Sequence, residues 1–236
     1  MPSKHSAALP FAKRPAGTVN LIGGRLSLDF VNTVGARRIG PSGQMLIRDE
    51  KLNDYFDLLA WARHADALTE AQVRRLGNMA RAQFRRAKDT LRDALHLRES
   101  LYRLFKAVLH HRCVPEDDLA ILNQTLDEAC RRHVRTSGAS FEWSGIERAL
   151  SLRTILWMVG ESAAEFLTTG DLSRLSQCGG DDCGWLFEDI TRNHSRRWCD
   201  TRDCGNRDRV RRFRSHHSPL RNTPVIRQAS AQLRSS

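Results

Sequence analysis

Apolar positions along the chain change period twice, and the changes mark out its elements. Val19-Asn20-Leu21-Ile22, then Gly23-Gly24, then Arg25-Leu26-Ser27-Leu28-Asp29-Phe30 read as two short strands around a Gly-Gly turn, with alternating Leu26, Leu28 and Phe30 on one face. Gly35 to Gly43 contains Pro41 and no apolar period, which predicts an exposed loop before Met45-Leu46-Ile47. A helical period then takes over. Asn53 or Asp54 can cap a helix carrying Tyr55, Leu58, Leu59 and Ala62, and Thr69 with Gln72 has the spacing of a capping box for the next. Leu91, Leu95, Leu101, Leu104, Phe105 and Val108 trace one long helix, whose polar face holds neighbours such as Asp89 with Arg92. Pro115, Glu116 and Asp117 suit a helix start and precede Leu119, Leu122, Leu126 and Ala129. Val134-Arg135-Thr136 and Ser140-Phe141-Glu142-Trp143 predict a second small hairpin, and Ile146 to Leu167 a last apolar helix stopped by Gly170.

This pattern predicts a mainly α protein with small β-hairpins. Residues 1–17, with three prolines and no period, are expected to be a disordered lead-in, 18–172 a helical domain, 173–219 a separate small module and 220–236 a flexible basic tail. No apolar run reaches the length of a membrane span, and the polar, proline-broken beginning lacks a secretory signal, so a soluble cytoplasmic protein is expected. Charge sharpens the division. The formal net charge is +11, and from Ile190 onward there are 12 arginines, no lysine and three acids, so most of the excess lies at one end.

Four of the six cysteines sit just ahead of that end, as Cys178-GGDD-Cys183, fifteen residues, then Cys199-DTRD-Cys204. In a reducing compartment a disulfide framework is disfavoured, and two cysteine pairs across a short loop supply the four soft donors that tetrahedral zinc requires. A redox dithiol is the alternative. Four thiolates leave no position for water, so the expected zinc is structural and supplies folding free energy to a small module. Trp185 to Ile190 and Ser195 to Trp198 read as the two strands of a zinc hairpin. His194, His216 and His217 are nearby, but the cysteine pairs already fill four positions.

After Cys204 the chain has no helix breaker until Pro219. Val210 and Phe213, three apart, are expected to dock on the zinc hairpin, leaving Arg207, Arg211 and Arg214 as an adjoining stripe. Arg196, Arg197, Arg209 and Arg212 extend the candidate nucleic-acid surface, because the guanidinium fork suits phosphate and guanine. DNA is the expected partner, with RNA or an acidic protein as alternatives. Asp29, Asn32 and Thr33, where a strand gives way to another element, either line a pocket for a small-molecule effector or serve local turns. His110 and His111 diverge on a helix and suit its end, and Cys113 and Cys130 read as small buried side chains. No phosphate-loop, dinucleotide, nucleophile-elbow or zinc-protease motif occurs, so the common enzyme classes are not expected.

Cys204-Gly205-Asn206-Arg207, with Trp198-Cys199 before it and Cys183-Gly184-Trp185-Leu186-Phe187 upstream, resembles the CGNR zinc finger. Leu26 to Thr33 and Arg98-Glu99-Ser100-Leu101-Tyr102 are similar to segments of the ABATE domain, which accompanies that finger in bacterial stress-induced transcription regulators. The resemblance implies a zinc-ribbon or treble-clef-like finger that binds DNA, joined to a helical domain that senses a ligand. Asp203 and Asp208 are departures that set negative charge beside the contact surface.

Overall fold

A computed structural model describes residues 15–42, 44–129, 133–137, 140–144, 150–181 and 183–217. The helical expectation holds. Helices α2 (Tyr55–His64), α3 (Glu70–Ala82), α4 (Phe84–Leu109), α5 (Glu116–Ala129) and α6 (Thr154–Thr169) form the body of the protein, after a six-residue helix α1 (Leu26–Val31). Asp54 caps α2 by accepting from the Asp57 amide at 2.9 Å, and Thr69 with Gln72 closes a capping box on α3. Gly170 follows α6, which begins at Thr154 rather than Ile146; residues 145–149 lie outside the described set. The hairpin β3 (His133–Ser137) and β4 (Ser140–Ser144) pairs antiparallel where the sequence places it. Among the described residues, no helix is long and apolar enough to cross a membrane.

The first hairpin is elsewhere than expected. Residues 26–31 are helical, with Ser27, Leu28, Phe30 and Val31 buried and Leu26 and Asp29 half-buried, because α1 lies between α6, α4 and the C-terminal module, so burial does not alternate along it. The strands are β1 (Val34–Ile39) and β2 (Met45–Glu50), so the predicted loop from Gly35 is largely a strand. Its polarity concealed it: Arg37 is a buried strand residue. Arg98, 1% exposed, grips both oxygens of Glu50 at 2.6 Å and reaches Glu99 at 2.8 Å, while Glu99 also accepts from Arg37 at 3.0 Å. Burial pushes the Glu99 carboxyl up, but the bonds and charges of Arg37 and Arg98 outweigh it and hold it below its ordinary range. The Arg37 guanidinium lies 4.2 Å from the Tyr102 ring centre. This network ties the hairpin to α4.

Residues 1–14 and 218–236 lie outside the described set, as does Cys130. The expected lead-in overlaps a short 3₁₀ turn, Pro15–Thr18, whose Ala16 is buried in the core beside α2. Cys113 is exposed rather than buried, because it follows the end of α4 in the connection to α5. His110 is the C-cap of α4, and His111 has φ 51°, so the pair does mark a helix end.

The C-terminal module is built into the body of the protein. Strands β5 (Leu175–Gln177) and β6 (Leu186–Glu188) pair antiparallel, and Leu175 and Leu186 belong to the same core as Leu28, Trp61, Phe105 and Phe166. The second arm expected of a zinc hairpin, Ser195 to Trp198, is not a strand; it attaches through the Gly179 amide, which donates to the Arg197 carbonyl at 2.8 Å.

Candidate metal centre and nucleic-acid interface

The four cysteines converge. Cys178 and Cys183 flank a turn after β5, Cys199 follows the Ser195 to Trp198 arm, and Cys204 lies in a single wide π turn, Thr201–Gly205, that runs into α7 (Asn206–His217). All four are buried, and their sulfur atoms lie within 4.8 Å of one another. Cys183 and Cys199 Sγ are 3.6 Å apart and Cys199 and Cys204 Sγ 3.4 Å, too far for a disulfide. With Zn–S bonds of about 2.3 Å, the edge of a regular sulfur tetrahedron is ~3.8 Å, so the donor set has the size zinc needs. Gly180 packs directly against the cluster: a Cβ there would lie 3.3 Å from Cys183 Cβ and in van der Waals contact with the sulfurs of Cys204 and Cys178. Without a cation the thiols share charge poorly. Cys178, accepting from the thiols of Cys183 and Cys199, is pulled down to about 2, while the bond to Cys178 pushes Cys183 up to about 12 and Cys199 up as well. A divalent cation removes that conflict by making all four thiolates favourable. The residues fit one structural zinc ion. His194, at φ 47° in the exposed loop, is not part of this cluster.

The ligand turns are held from the helical domain. The Arg37 amide donates to the Cys183 carbonyl at 3.1 Å, and Trp185 Nε1 donates to the Val34 carbonyl at 2.7 Å. Between them Gly184 has φ +73° and would place a Cβ 3.0 Å from that of Arg37. One residue on, Asn32 clasps the backbone of Leu186: Nδ2 donates to its carbonyl at 2.7 Å and Oδ1 accepts its amide at 3.0 Å. Gly23 accepts the Glu188 amide at 2.8 Å, and Arg25 pairs with the Glu188 carboxylate at 2.8 Å.

These bonds give Asn32 and Thr33 a structural role. Both are fully buried, and their polar atoms are engaged: Asn32 with β6, Thr33 with the Phe30 carbonyl at 2.8 Å and with Arg98 at 3.2 Å. Asp29 accepts the Gly23 amide at 2.7 Å, and burial pushes its carboxyl up to about 6 against that bond. Of the two readings left open for these residues, the structural one matches the bonds, which form a latch between α1 and the metal-binding module.

The candidate arginines divide into three kinds. Arg196 is structural: its guanidinium stacks 4.1 Å from the Phe187 ring centre and donates to the carbonyls of Ile22, Trp198 and Cys199. Arg207, Arg211 and Arg212 lie on α7 but are engaged with acids, Arg207 with Asp203, Arg211 with Asp181 and Asp208, and Arg212 with Asp208. Arg207 also donates to Cys204 Sγ at 3.0 Å, offsetting negative charge on the thiolates. Arg209 and Arg214 are exposed and hold no acid among the described residues, and Arg197 packs over Trp198. The helix is also turned the other way from expectation. Asp208, 7% exposed, faces inward, whereas Val210 and Phe213 are 40% and 62% exposed and do not dock on the metal module. Spacing gave the stripe but not its direction, and two arginine partners make burial of Asp208 affordable.

Sequence reasoning passed over three residues that shape this surface. Asp189, 1% exposed, organises the loop before the arm by accepting the amides of Thr191 and Arg196, both at 2.8 Å. Asp181, between the first two ligands, reaches Arg211, and Asn206 begins α7 with an exposed side chain. The available signals were the Asp-x-Thr pattern of a side-chain turn at Asp189 and, for Asn206, its place in Cys204-Gly205-Asn206-Arg207.

Residues 24–170 match the model of the ABATE family, described as a "putative stress-induced transcription regulator", and residues 174–217 match that of the CGNR zinc finger. The chain belongs to the ABATE family. Its two matched regions follow the order expected from Leu26 to Thr33 and from Cys204-Gly205-Asn206-Arg207. A search of curated proteins gives no match. In this ABATE protein the Leu26 to Thr33 segment meets both α4 and the finger, since Arg98 bonds Thr33 and Asn32 holds β6.

Proposed function

We propose that this ABATE protein is a DNA-binding transcription regulator whose zinc finger carries the contact surface and whose helical domain holds that finger in place. The observation that supports it best is the mounting of α7: it starts at the last zinc ligand, turns Asp208 inward, and carries five arginines in nine residues. Arginine matches phosphate in geometry as well as charge, and the positive field of the last 47 residues steers polyanions toward this end. The zinc serves the fold rather than catalysis, for a four-sulfur donor set closes its coordination sphere. A response to stress or to an effector reaches the finger through the Asn32, Val34 and Gly23 bonds, because any shift of α1 or β1 moves β6 and the ligand turns with it.

Duplex binding as a function of salt tests the reading. Three to five phosphate contacts give a log–log slope of about −3 to −5. Replacing Arg209 and Arg214 together by alanine weakens binding while zinc content and helicity stay unchanged. No duplex binding at low salt, or unchanged binding by that variant, would overturn it.

A further inference from the structure

The outward side of α7 is more than a row of charges. Successive side chains of a helix are turned by about 100°, so with Asp208 pointing in, Asn206, Val210 and Phe213 form the ridge that points away from the finger. Asn206 is exposed and its carboxamide makes no hydrogen bond among the described residues. Arg214 flanks the ridge on one side and Arg209 on the other, and these are the α7 arginines without an acid. Arg211 and Arg212 sit lower on the flanks, drawn toward Asp208. A polar amide and two apolar side chains therefore occupy the centre, with free positive charge on both edges.

We propose that this ridge reads base sequence in the major groove of duplex DNA, Asn206 bonding an adenine and Val210 touching the methyl group of a thymine, while Arg209 and Arg214 hold the phosphates of the two groove walls. The inference rests on the DNA-binding reading and names what it recognises. A helix about 10–12 Å across fits a groove about 12 Å wide. A carboxamide sets an N–H donor beside a carbonyl acceptor, matching N7 and the N6 amino group of adenine, and the thymine methyl is the apolar feature of the same groove. Phosphate contact alone does not account for an apolar centre between the arginines. The A-form major groove of RNA is too deep and narrow for such a helix, and a membrane surface favours a broader apolar face without an amide in it.

The test uses the full zinc-loaded chain. Duplexes selected from a random library should share an A·T-containing step. In the selected duplex, 7-deazaadenine removes N7 and uracil removes the thymine methyl. The first should weaken wild-type binding on the order of tenfold or more and leave Asn206→Ala indifferent; the second should cost a few-fold and leave Val210→Ala indifferent. Arg209→Ala and Arg214→Ala should instead weaken all sequences alike, each making the salt slope shallower by about 0.9. Zinc content and circular dichroism check that each variant is folded. Binding with no shared sequence, or an Asn206→Ala variant still sensitive to 7-deazaadenine, overturns the base-reading role while leaving DNA binding intact. Tighter binding to RNA hairpins or to phosphatidylserine vesicles than to any duplex overturns it too, and no duplex binding at all defeats the underlying DNA reading instead.

Discussion

Replacing Asn32 by alanine isolates the latch between the helical domain and the finger. The side chain is fully buried and makes both of its bonds to one residue, Leu186, at 2.7 and 3.0 Å. Alanine leaves the amide and carbonyl of Leu186 buried without partners, at about 1–3 kcal/mol for each. Relaxation toward water recovers part of that, so a loss of about 3 kcal/mol is expected. With a urea m-value of about 3 kcal/mol per molar, the unfolding midpoint of the zinc-loaded protein should fall by about 1 M. Asn123→Ala, at an exposed position of α5, is the control and should stay within about 0.5 kcal/mol. Asn32→Asp should do no better than alanine, because it keeps an acceptor for the Leu186 amide but sets a buried carboxylate against the Leu186 carbonyl. Hydrogen exchange at Leu186 locates the effect, and zinc release to a chelator should quicken in the alanine variant. An Asn32→Ala protein as stable as the Asn123→Ala control would refute the latch.

Two other outcomes follow from the same structure. Zinc removal under reducing conditions, or Cys199→Ser, should abolish stoichiometric zinc, melt α7 and lower the unfolding midpoint of the whole chain, since Leu175 and Leu186 sit in the main core; metal analysis and circular dichroism read this, and an unchanged midpoint in verified zinc-free protein would count against it. Asp29 has a folded pKa of about 6, above its unfolded value, so its contribution is fully present below about pH 4 and is lost as pH rises through about 6; the stability of wild type relative to Asp29→Asn should fall over that window by no more than about 3 kcal/mol and then level off, and a difference independent of pH would rule this out.

Helices α2 to α5, the β3–β4 hairpin and the metal ligands were legible because each is written locally, as a 3.6-residue period, a capping pair or a cysteine spacing. The misread segments are those whose environment comes from far along the chain. Leu26, Leu28 and Phe30 suggested a strand face, but α1 packs against α4, α6 and β6, which bury Ser27 and Val31 as well. Pro41 and the lack of an apolar period made β1 look like a loop, although Glu99, distant in sequence, neutralises the buried Arg37 within it. At Asn32 and Thr33 the sequence left a local turn and a ligand pocket both open, because their partners, β6 and Arg98, lie far along the chain. On α7 periodicity identified Val210 and Phe213 as neighbours, but only the inward packing of Asp208 shows that their side faces solvent.

The latch also has a consequence for synthesis. Asn32 precedes Leu186 by 154 residues, so at roughly 5–20 residues per second it leaves the ribosome ~8–30 s before its partner exists. For that interval the Asn32 amide, the Val34 carbonyl and the open edge of β1 lack the chain that covers them in the finished protein. A nascent chain cut short before Cys178 would keep that edge permanently open, the kind of unpaired strand that invites aggregation or proteolysis. Quality control of the N-terminal domain therefore depends on the last quarter of the chain and on the supply of zinc that shapes it.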